Sequence, residues 1–130
     1  MERTELVNKA KQAMANAYAP YSGFCVGAAL LCADGSVYTG CNIENAAYSP
    51  TLCAERTAFA KAISEGKRAF TAMAVCGGKN GVIAGICTPC GVCRQVMAEF
   101  CKEDFQVILV KTEGYEIRTL SQLLPDGFRL

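Results

Sequence analysis

Residues 24–41 have the sequence FCVGAALLCADGSVYTGC, in which an Asp-Gly dipeptide separates two apolar runs. The first run extends from Phe24 to Ala33 and the second from Val37 to Cys41. Asp34-Gly35 is a dipeptide that tight hairpin turns favour, since such turns need residues that accept a positive φ. We therefore predict an antiparallel β-hairpin, to which the rest of the chain adds its helices and strands.

Helical periodicity lies on both sides of this hairpin. Apolar residues recur every three or four positions in residues 2–17, which predicts an amphipathic helix. Residues 42–52 show no period, and their Asn, Ser and Pro residues indicate a loop. This loop leads into a helix predicted from Cys53 to Glu65, which Gly66 ends at the usual capping position. A further helix is predicted from Gly91 to Lys102.

Three more strands are predicted after the hairpin, and a short helical turn follows them. The first, Phe70–Cys76, is ended by the glycine-rich stretch at 77–81. The other two are Gln106–Val110 and Tyr115–Thr119, and the helical turn covers Leu120–Leu124. Strands that alternate with helices predict a three-layer α/β/α fold with a mixed sheet of about five strands. We expect residues 1–130 to form one domain.

The composition narrows the classes of partner. The chain has 130 residues, with 13 Lys and Arg against 12 Asp and Glu, and a net charge of +1. This balance gives no basic surface for nucleic acid or for an anionic membrane. Apolar residues make up 52% of the chain and charged residues 19%, below the roughly 25% of ordinary soluble domains. We therefore expect apolar surface to be buried between subunits of a homo-oligomer.

The distribution of apolar residues and cysteines indicates the compartment. No stretch of about 18 apolar residues is present, so we expect no membrane span. The N-terminal residues lack the pattern of a secretory signal, and the chain is expected to be cytoplasmic. In that compartment, nine cysteines favour metal binding or free thiols over disulfides. The absence of histidine excludes Ser-His and Cys-His catalytic pairs and mixed His/Cys metal sites.

Two short stretches, CAER at 53–56 and PCGVCRQ at 89–95, carry the side chains suited to chemistry. Each begins a predicted helix, where unpaired N–H groups and the helix dipole stabilise a thiolate, the form of cysteine that binds metal. Cys90 and Cys93 are three residues apart, so both can face one ion, and Cys53 would complete the set. Three thiolates on Zn²⁺ leave one tetrahedral position open, which is typical of catalytic zinc.

Glu55 and Arg56 add two charged groups to this predicted zinc site. Glu55 lies two residues after Cys53, and a carboxylate beside the open position can move protons to and from water. Arg56 lies three residues after Cys53 and can offset the charge of the thiolates by donating hydrogen bonds to sulfur. A site with three cysteines and a glutamate is known from the zinc deaminases of nucleobases.

The chain resembles the small, homotetrameric, zinc-dependent cytidine deaminases over nearly its whole length. The motifs that carry the resemblance are dense and in the same order: YAPYS (18–22), FCVGAALL (24–31), GCNIENA (40–46), CAERT (53–57), PCGVCRQ (89–95) and LLP (123–125). The resemblance implies one zinc ion per subunit. It also implies hydrolytic deamination of free cytidine and deoxycytidine to uridine and deoxyuridine, with release of ammonia, in pyrimidine salvage.

The same resemblance implies roles for individual residues. Cys53, Cys90 and Cys93 would be the zinc ligands and Glu55 the general acid/base, with Arg56 behind the sulfurs. The residues implied to contact the nucleoside are Phe24, by packing against it, Asn42 and Glu44, by hydrogen bonds to the ribose, and Ala54. The residues implied to reach a neighbouring subunit's site are Ala46, Tyr48 and Phe128, the last by stacking on the base.

Other interpretations of these residues remain open. Cys87 could close the site as a fourth sulfur ligand, which would give a non-enzymatic zinc protein. With Cys90 and Cys93 it also forms C-x-x-C-x-x-C, the beginning of an iron–sulfur motif, but positions 96 and 97 hold Val and Met instead of a fourth cysteine. Among enzymes, a deaminase of a nucleoside-like antibiotic is the nearest alternative. An editing deaminase for RNA or DNA would need a basic path for the backbone.

Overall fold

The computed structural model of this protein describes residues 1–130. The helices and strands, in chain order, are α1 (Arg3–Met14), β1 (Phe24–Cys32), β2 (Val37–Cys41), α2 (Ala54–Ser64), β3 (Phe70–Lys79), α3 (Gly91–Phe100), β4 (Gln106–Val110), β5 (Tyr115–Thr119) and α4 (Leu120–Leu123). The predicted hairpin is confirmed, because β1 and β2 pair antiparallel with Leu31 opposite Val37. Gly35 in its turn has a φ of +91°, which glycine accepts because it has no Cβ.

The five strands form one mixed sheet in the order β2-β1-β3-β4-β5. Only β3 and β4 pair in parallel, and the other neighbours are antiparallel. A parallel pair requires a crossover connection, and α3 lies within the segment that joins β3 to β4. The predicted mixed sheet of about five strands is therefore confirmed.

Helices cover both faces of this sheet. Successive residues of a strand point to opposite faces, so Ala29 packs with Leu6 and Ala10 of α1. Leu30 faces the other side, where Phe59 of α2 and Met97 of α3 form a second core. This arrangement confirms the three-layer α/β/α prediction. No helix of the structure combines the length and the hydrophobicity that a membrane span requires.

Glycines let two helices lie directly on the sheet. A Cβ added at Gly27 would lie 2.1 Å from the carbonyl oxygen of Ala10 in α1. A Cβ at Gly40 would lie 2.4 Å from the carbonyl oxygen of Ala54, the first residue of α2. Both distances are far below ordinary contact, so any side chain at these positions would push the helices away. The start of α2 is thus set by its contact with β2.

The structure corrects several predicted boundaries: α3 ends at Phe100 and not at Lys102, α4 ends at Leu123, and the two largest differences are of three residues each. The strand predicted to end at Cys76 continues to Lys79, because Gly77 and Gly78 pair with Val26 and Cys25 of β1. The turn comes afterwards, at 80–81, where both residues have positive φ. The first helix ends at Met14, three residues earlier than predicted, because the amides of residues 15–17 bond to carbonyls only three residues back and tighten the chain.

Candidate functional site

Three cysteine thiols lie together where α2 and α3 begin. The Sγ atom of Cys90 lies 3.6 Å from that of Cys53 and 3.6 Å from that of Cys93. All three sulfurs lie within 4.8 Å of one another, and all three cysteines are free of disulfides. Zinc–sulfur bonds of about 2.3 Å in a tetrahedron place sulfurs about 3.8 Å apart. The separations therefore fit a three-cysteine zinc site, as the sequence predicted.

Two of these cysteines occupy the same position in their helices. Cys53 is the N-cap of α2 and Cys90 the N-cap of α3, both with extended backbone and without a capping bond from the side chain. Their carbonyl oxygens accept the first helical bonds, from Thr57 and Arg94. Because neither thiol is used to cap its own helix, both are free to bind a metal. Cys93 follows one turn later and is buried.

Hydrogen bonds set the charge of the thiol cluster. Bonds from the Cys93 thiol, from Arg56 and from the Cys90 thiol lower the pKa of Cys53 to about 5 against the effect of burial. The hydrogen bond to Cys53 and burial raise the pKa of Cys93 well above its ordinary range. Cys53 is therefore the first thiolate of the cluster. Zinc binding would release the proton that Cys93 retains, since metal ligands must be deprotonated.

Arg56 supplies the positive charge beside these sulfurs. Its Nη2 atom lies 3.4 Å from Cys53 Sγ and 3.4 Å from the carbonyl oxygen of Thr51. Its Nε is buried and has no hydrogen-bond acceptor. This geometry agrees with the prediction that Arg56 offsets the thiolate charge.

Glu55 is the buried carboxyl group of the site. It lies in the first turn of α2 and is only 3% exposed. Burial, with a smaller contribution from the charge of Cys53, raises the pKa of Glu55 from 4.5 to about 7. A carboxyl group with a pKa near 7 can both accept and donate protons at neutral pH, as a general acid/base must.

Asn42 and Glu44 hold the backbone of residues 21–26 by hydrogen bonds. Asn42 Oδ1 accepts a hydrogen bond of 2.8 Å from the Val26 amide, and its Nδ2 donates one of 2.7 Å to the Phe24 carbonyl. The Glu44 carboxylate accepts bonds from the amides of Tyr21 and Ser22. The Ser22 hydroxyl donates to it as well, which lowers the pKa of Glu44. Sequence analysis missed these contacts, and the predicted ribose contacts stay predictions.

A cleft of about 460 Å³ lies beside Glu44 and is lined by Tyr21, Ser22, Glu44, Asn45, Tyr48 and Thr51. Three aromatic residues that were predicted to contact the nucleoside have exposed side chains: Phe24 by 40%, Tyr48 by 77% and Phe128 by 60%. Ala46 is exposed as well. Ala54 differs, since it is the first residue of α2 and is fully buried. A larger cleft, of about 790 Å³, lies at the opposite end of the sheet, away from the thiols.

The start of α3 also holds the C-terminal segment. Arg94 donates through Nε to the Pro89 carbonyl at 2.7 Å and through Nη1 to the Leu123 carbonyl at 2.6 Å. Gln95 Nε2 donates to the Phe128 carbonyl at 3.0 Å. Sequence analysis assigned no role to Arg94 or Gln95, although both stand in the PCGVCRQ motif. Their position directly after a ligand was the available signal.

Cys87 does not join the thiol cluster. The group of cysteines close enough to share an ion contains Cys53, Cys90 and Cys93 only. Cys87 packs against the core on the α2 side of the sheet, and burial raises the pKa of its thiol to about 12. The structure therefore supplies neither a fourth sulfur for a closed zinc site nor the set needed for an iron–sulfur cluster.

Comparisons with known proteins agree with this geometry. The model of the protein family described as the cytidine and deoxycytidylate deaminase zinc-binding region matches residues 1–109. The cytidine deaminase of Sporosarcina psychrophila is 51% identical over 98% of this chain and 92% of its own length. That of Halalkalibacterium halodurans is 52% identical over 98% of this chain and 95% of its own length.

Solved structures give the same result. The crystal structure of cytidine deaminase from Burkholderia pseudomallei has a TM-score of 0.90 and 45% identity, covering 98% of this chain and 100% of that one. The crystal structure of cytidine deaminase from Mycobacterium tuberculosis has a TM-score of 0.82 and 41% identity, covering 100% of this chain and 99% of that one. The likeness thus extends over the whole fold.

Proposed function

This chain belongs to the cytidine and deoxycytidylate deaminase family, and we propose that it hydrolyses free cytidine and deoxycytidine to uridine, deoxyuridine and ammonia. It is a zinc-binding hydrolytic deaminase. The observation that carries the proposal is the buried Glu55 carboxyl beside three thiols with zinc-site spacing. Cys53, Cys90 and Cys93 would hold the zinc ion, which when bound would acidify a water molecule at neutral pH.

The protein's own part in the reaction is to move protons. Glu55, as a carboxylate, accepts a proton from the attacking water and passes it to N3 of the pyrimidine. As the C4–N bond breaks, Glu55 delivers the second proton of that water to the departing amine. The balance is cytidine plus water giving uridine plus ammonia. A pKa of about 7 suits Glu55 to both directions of transfer, while burial keeps bulk water from competing.

Recognition of a nucleoside is proposed to use Asn42, Glu44 and Phe24. Glu44 and Asn42 would bond the ribose through the donor and acceptor capacity that their backbone contacts leave unused. Phe24, half exposed at the beginning of β1, would pack against the nucleoside. The balanced net charge of +1 supports a free nucleoside over a polynucleotide.

Subunits are proposed to share their active sites in a homotetramer. Tyr48, Phe128 and Ala46 are exposed in the single chain, and each would line a neighbour's site, with Phe128 stacking on the base. Large aromatic side chains left exposed indicate a contact surface. Ala54 is proposed to take part through its place at the start of α2. We further propose one domain over residues 1–130, acting in pyrimidine salvage in the cytoplasm.

The test is ammonia release from cytidine and deoxycytidine by the zinc-loaded protein and by Glu55→Gln at equal zinc content. We expect the substitution to lower kcat by about 10²- to 10⁴-fold, because an amide cannot transfer the proton. Glu65→Gln, at the exposed C-terminal end of the same helix, is the matched control and should keep wild-type kcat. Equal turnover by the wild type and Glu55→Gln would refute the role of Glu55. If the zinc-loaded wild type released no ammonia, cytidine and deoxycytidine would be refuted as substrates.

A further inference from the structure

Gly77 lies in β3 where three side chains converge. It is buried and pairs with Val26 of β1. A Cβ placed on Gly77 would lie 3.0 Å from Cys87 Sγ, 3.0 Å from Phe24 Cε2 and 3.1 Å from Val26 Cγ2. The φ of Gly77 is not positive, so the backbone conformation alone would accept alanine. Glycine is therefore needed at this position because the neighbouring side chains leave little room for a Cβ.

Two of the three side chains connect Gly77 to the site. The Phe24 backbone is fixed by the hydrogen bond from Asn42 Nδ2 to its carbonyl, so the position of its ring depends on what lies beside it. Gly77 lies beside it, and the Cys87 thiol lies equally close to Gly77, since both Phe24 Cε2 and Cys87 Sγ are 3.0 Å from the position of an added Cβ. Cys87 belongs to the segment that leads to Cys90, and its thiol packs against the core beneath α2.

We propose that Gly77, with the Cys87 thiol packed on it, is a positioning residue that sets how far the Phe24 ring projects toward the pyrimidine nucleoside. This inference rests on the proposed function, in which Phe24 contacts the substrate. A group as large as a methyl at position 77 pushes the ring outward into the space of the nucleoside. The three atoms nearest an added Cβ at Gly77 belong to Cys87, Phe24 and Val26 and not to the thiol cluster or Glu55, so Gly77 acts on substrate fit and leaves proton transfer intact.

The experiment measures KM and kcat for cytidine with the zinc-loaded Gly77→Ala protein. We expect KM to rise about 10-fold, the size of effect that overpacking of one methyl produces, with kcat and zinc content close to wild type. Gly85→Ala is the matched control, because nothing lies within 4 Å of its added Cβ and its φ is not positive. An unchanged KM, or a loss confined to kcat, would overturn the proposal.

Cys87→Ala and the double variant Gly77→Ala/Cys87→Ala provide an independent readout. Cys87→Ala removes the sulfur that packs at Gly77 and should raise KM several-fold, because the packing beside the ring is loosened. In the double variant the new methyl occupies the space that the sulfur leaves, so KM should return toward the wild-type value. Compensation of this kind requires the two residues to share one packing contact. Additive losses would show that they act separately and would overturn the inference.

Phe24→Ala separates the inference from the function on which it rests. If Phe24→Ala raises KM and Gly77→Ala does not, the proposed function stands and the positioning role of Gly77 is refuted. If Phe24→Ala leaves KM unchanged, Phe24 does not contact the nucleoside, and the inference is refuted together with that part of the proposed function.

Discussion

The two helix starts that hold the zinc ligands look alike but differ in what surrounds them. Both α2 and α3 have a cysteine N-cap with extended backbone and no capping bond from the thiol. Two residues further on, α2 has Glu55, which is 3% exposed, and α3 has Val92, which is 58% exposed. The position in the helix is the same, but only the residue in α2 is buried, and this burial is the main cause of the raised pKa of Glu55.

The arginines after the two cysteines also differ. Arg56 turns toward sulfur and lies 3.4 Å from Cys53 Sγ. Arg94 turns away from the metal site and bonds the carbonyls of Pro89 and Leu123. One helix start therefore adjusts the charge of the site, while the other attaches the site to the C-terminal segment. The same residue type at nearly the same spacing thus serves two purposes, electrostatic and mechanical.

The largest expected effect tests whether burial sets the pKa of Glu55. In the metal-free protein the folded pKa of about 7 exceeds the ordinary value of 4.5, so the folded state binds more protons than the unfolded state between these pH values. Stability from this group is complete below about pH 4.5 and is lost as pH rises toward 7. The loss amounts to about 3 kcal/mol.

Urea unfolding of chelated, reduced wild-type and Glu55→Gln protein between pH 4.5 and 8 measures this loss. The variant lacks the ionisation, so we expect its stability relative to wild type to increase by about 3 kcal/mol over the range. The low pKa of the Cys53 thiol acts with the opposite sign but is present in both proteins, so the difference isolates Glu55. Parallel curves for the two proteins would contradict a raised pKa.

A smaller effect is expected from the arginine of α3. Arg94→Gln should lower the free energy of unfolding by about 2 kcal/mol, because it removes two charged hydrogen bonds to half-buried carbonyls. Zinc affinity should stay within about 3-fold of wild type, since Arg94 donates to no sulfur.

Chemical denaturation and a competitive zinc titration check both parts. Arg118→Gln is the control, since its partly exposed ion pair with Glu116, which lies on the same strand, should contribute less than about 1 kcal/mol. If Arg94→Gln lost zinc affinity but kept its stability, Arg94 would act on the metal site and not on the attachment of the C-terminal segment.

The smallest effect is expected from the arginine of α2. Arg56→Gln removes the guanidinium beside Cys53 and should weaken zinc binding by about 10-fold, as loss of a group behind a metal ligand commonly does. The stability of the metal-free protein should change little. The same zinc titration measures the effect, with Arg94→Gln as the comparison. If Arg56→Gln and wild type bind zinc equally, the thiolates need no positive neighbour.

Local signals predicted most of this fold and the centre of the site. The hairpin followed from one Asp-Gly dipeptide, and the thiol cluster followed from two helix starts and a three-residue spacing. The features that the sequence did not predict depend on contacts between residues far apart in the chain. Gly77 and Gly78 stay in β3 because β1 pairs with them, although glycine by itself indicates a turn.

The contacts of Asn42 and Glu44 were missed for the same reason. Asn42 and Glu44 bond the backbone of segments about 20 residues earlier, at Phe24, Tyr21 and Ser22. The GCNIENA motif by itself does not indicate these hydrogen-bond partners. The exclusion of Cys87 from the cluster likewise depends on the path of residues 82–90, which form neither helix nor strand. Spacing alone left Cys87 as a candidate ligand.

The contact between Gly40 and Ala54 links the geometry of the proposed zinc site to the distance between the sheet and α2. A Cβ at position 40 would lie 2.4 Å from the Ala54 carbonyl and would displace α2 by about 1 Å to restore ordinary contact. Cys53 immediately precedes Ala54, so its sulfur would move with the helix. Zinc coordination accepts errors of only about 0.2 Å. Gly40 has no side chain that could bind the metal, yet a substitution there would move the Cys53 sulfur by more than zinc coordination accepts.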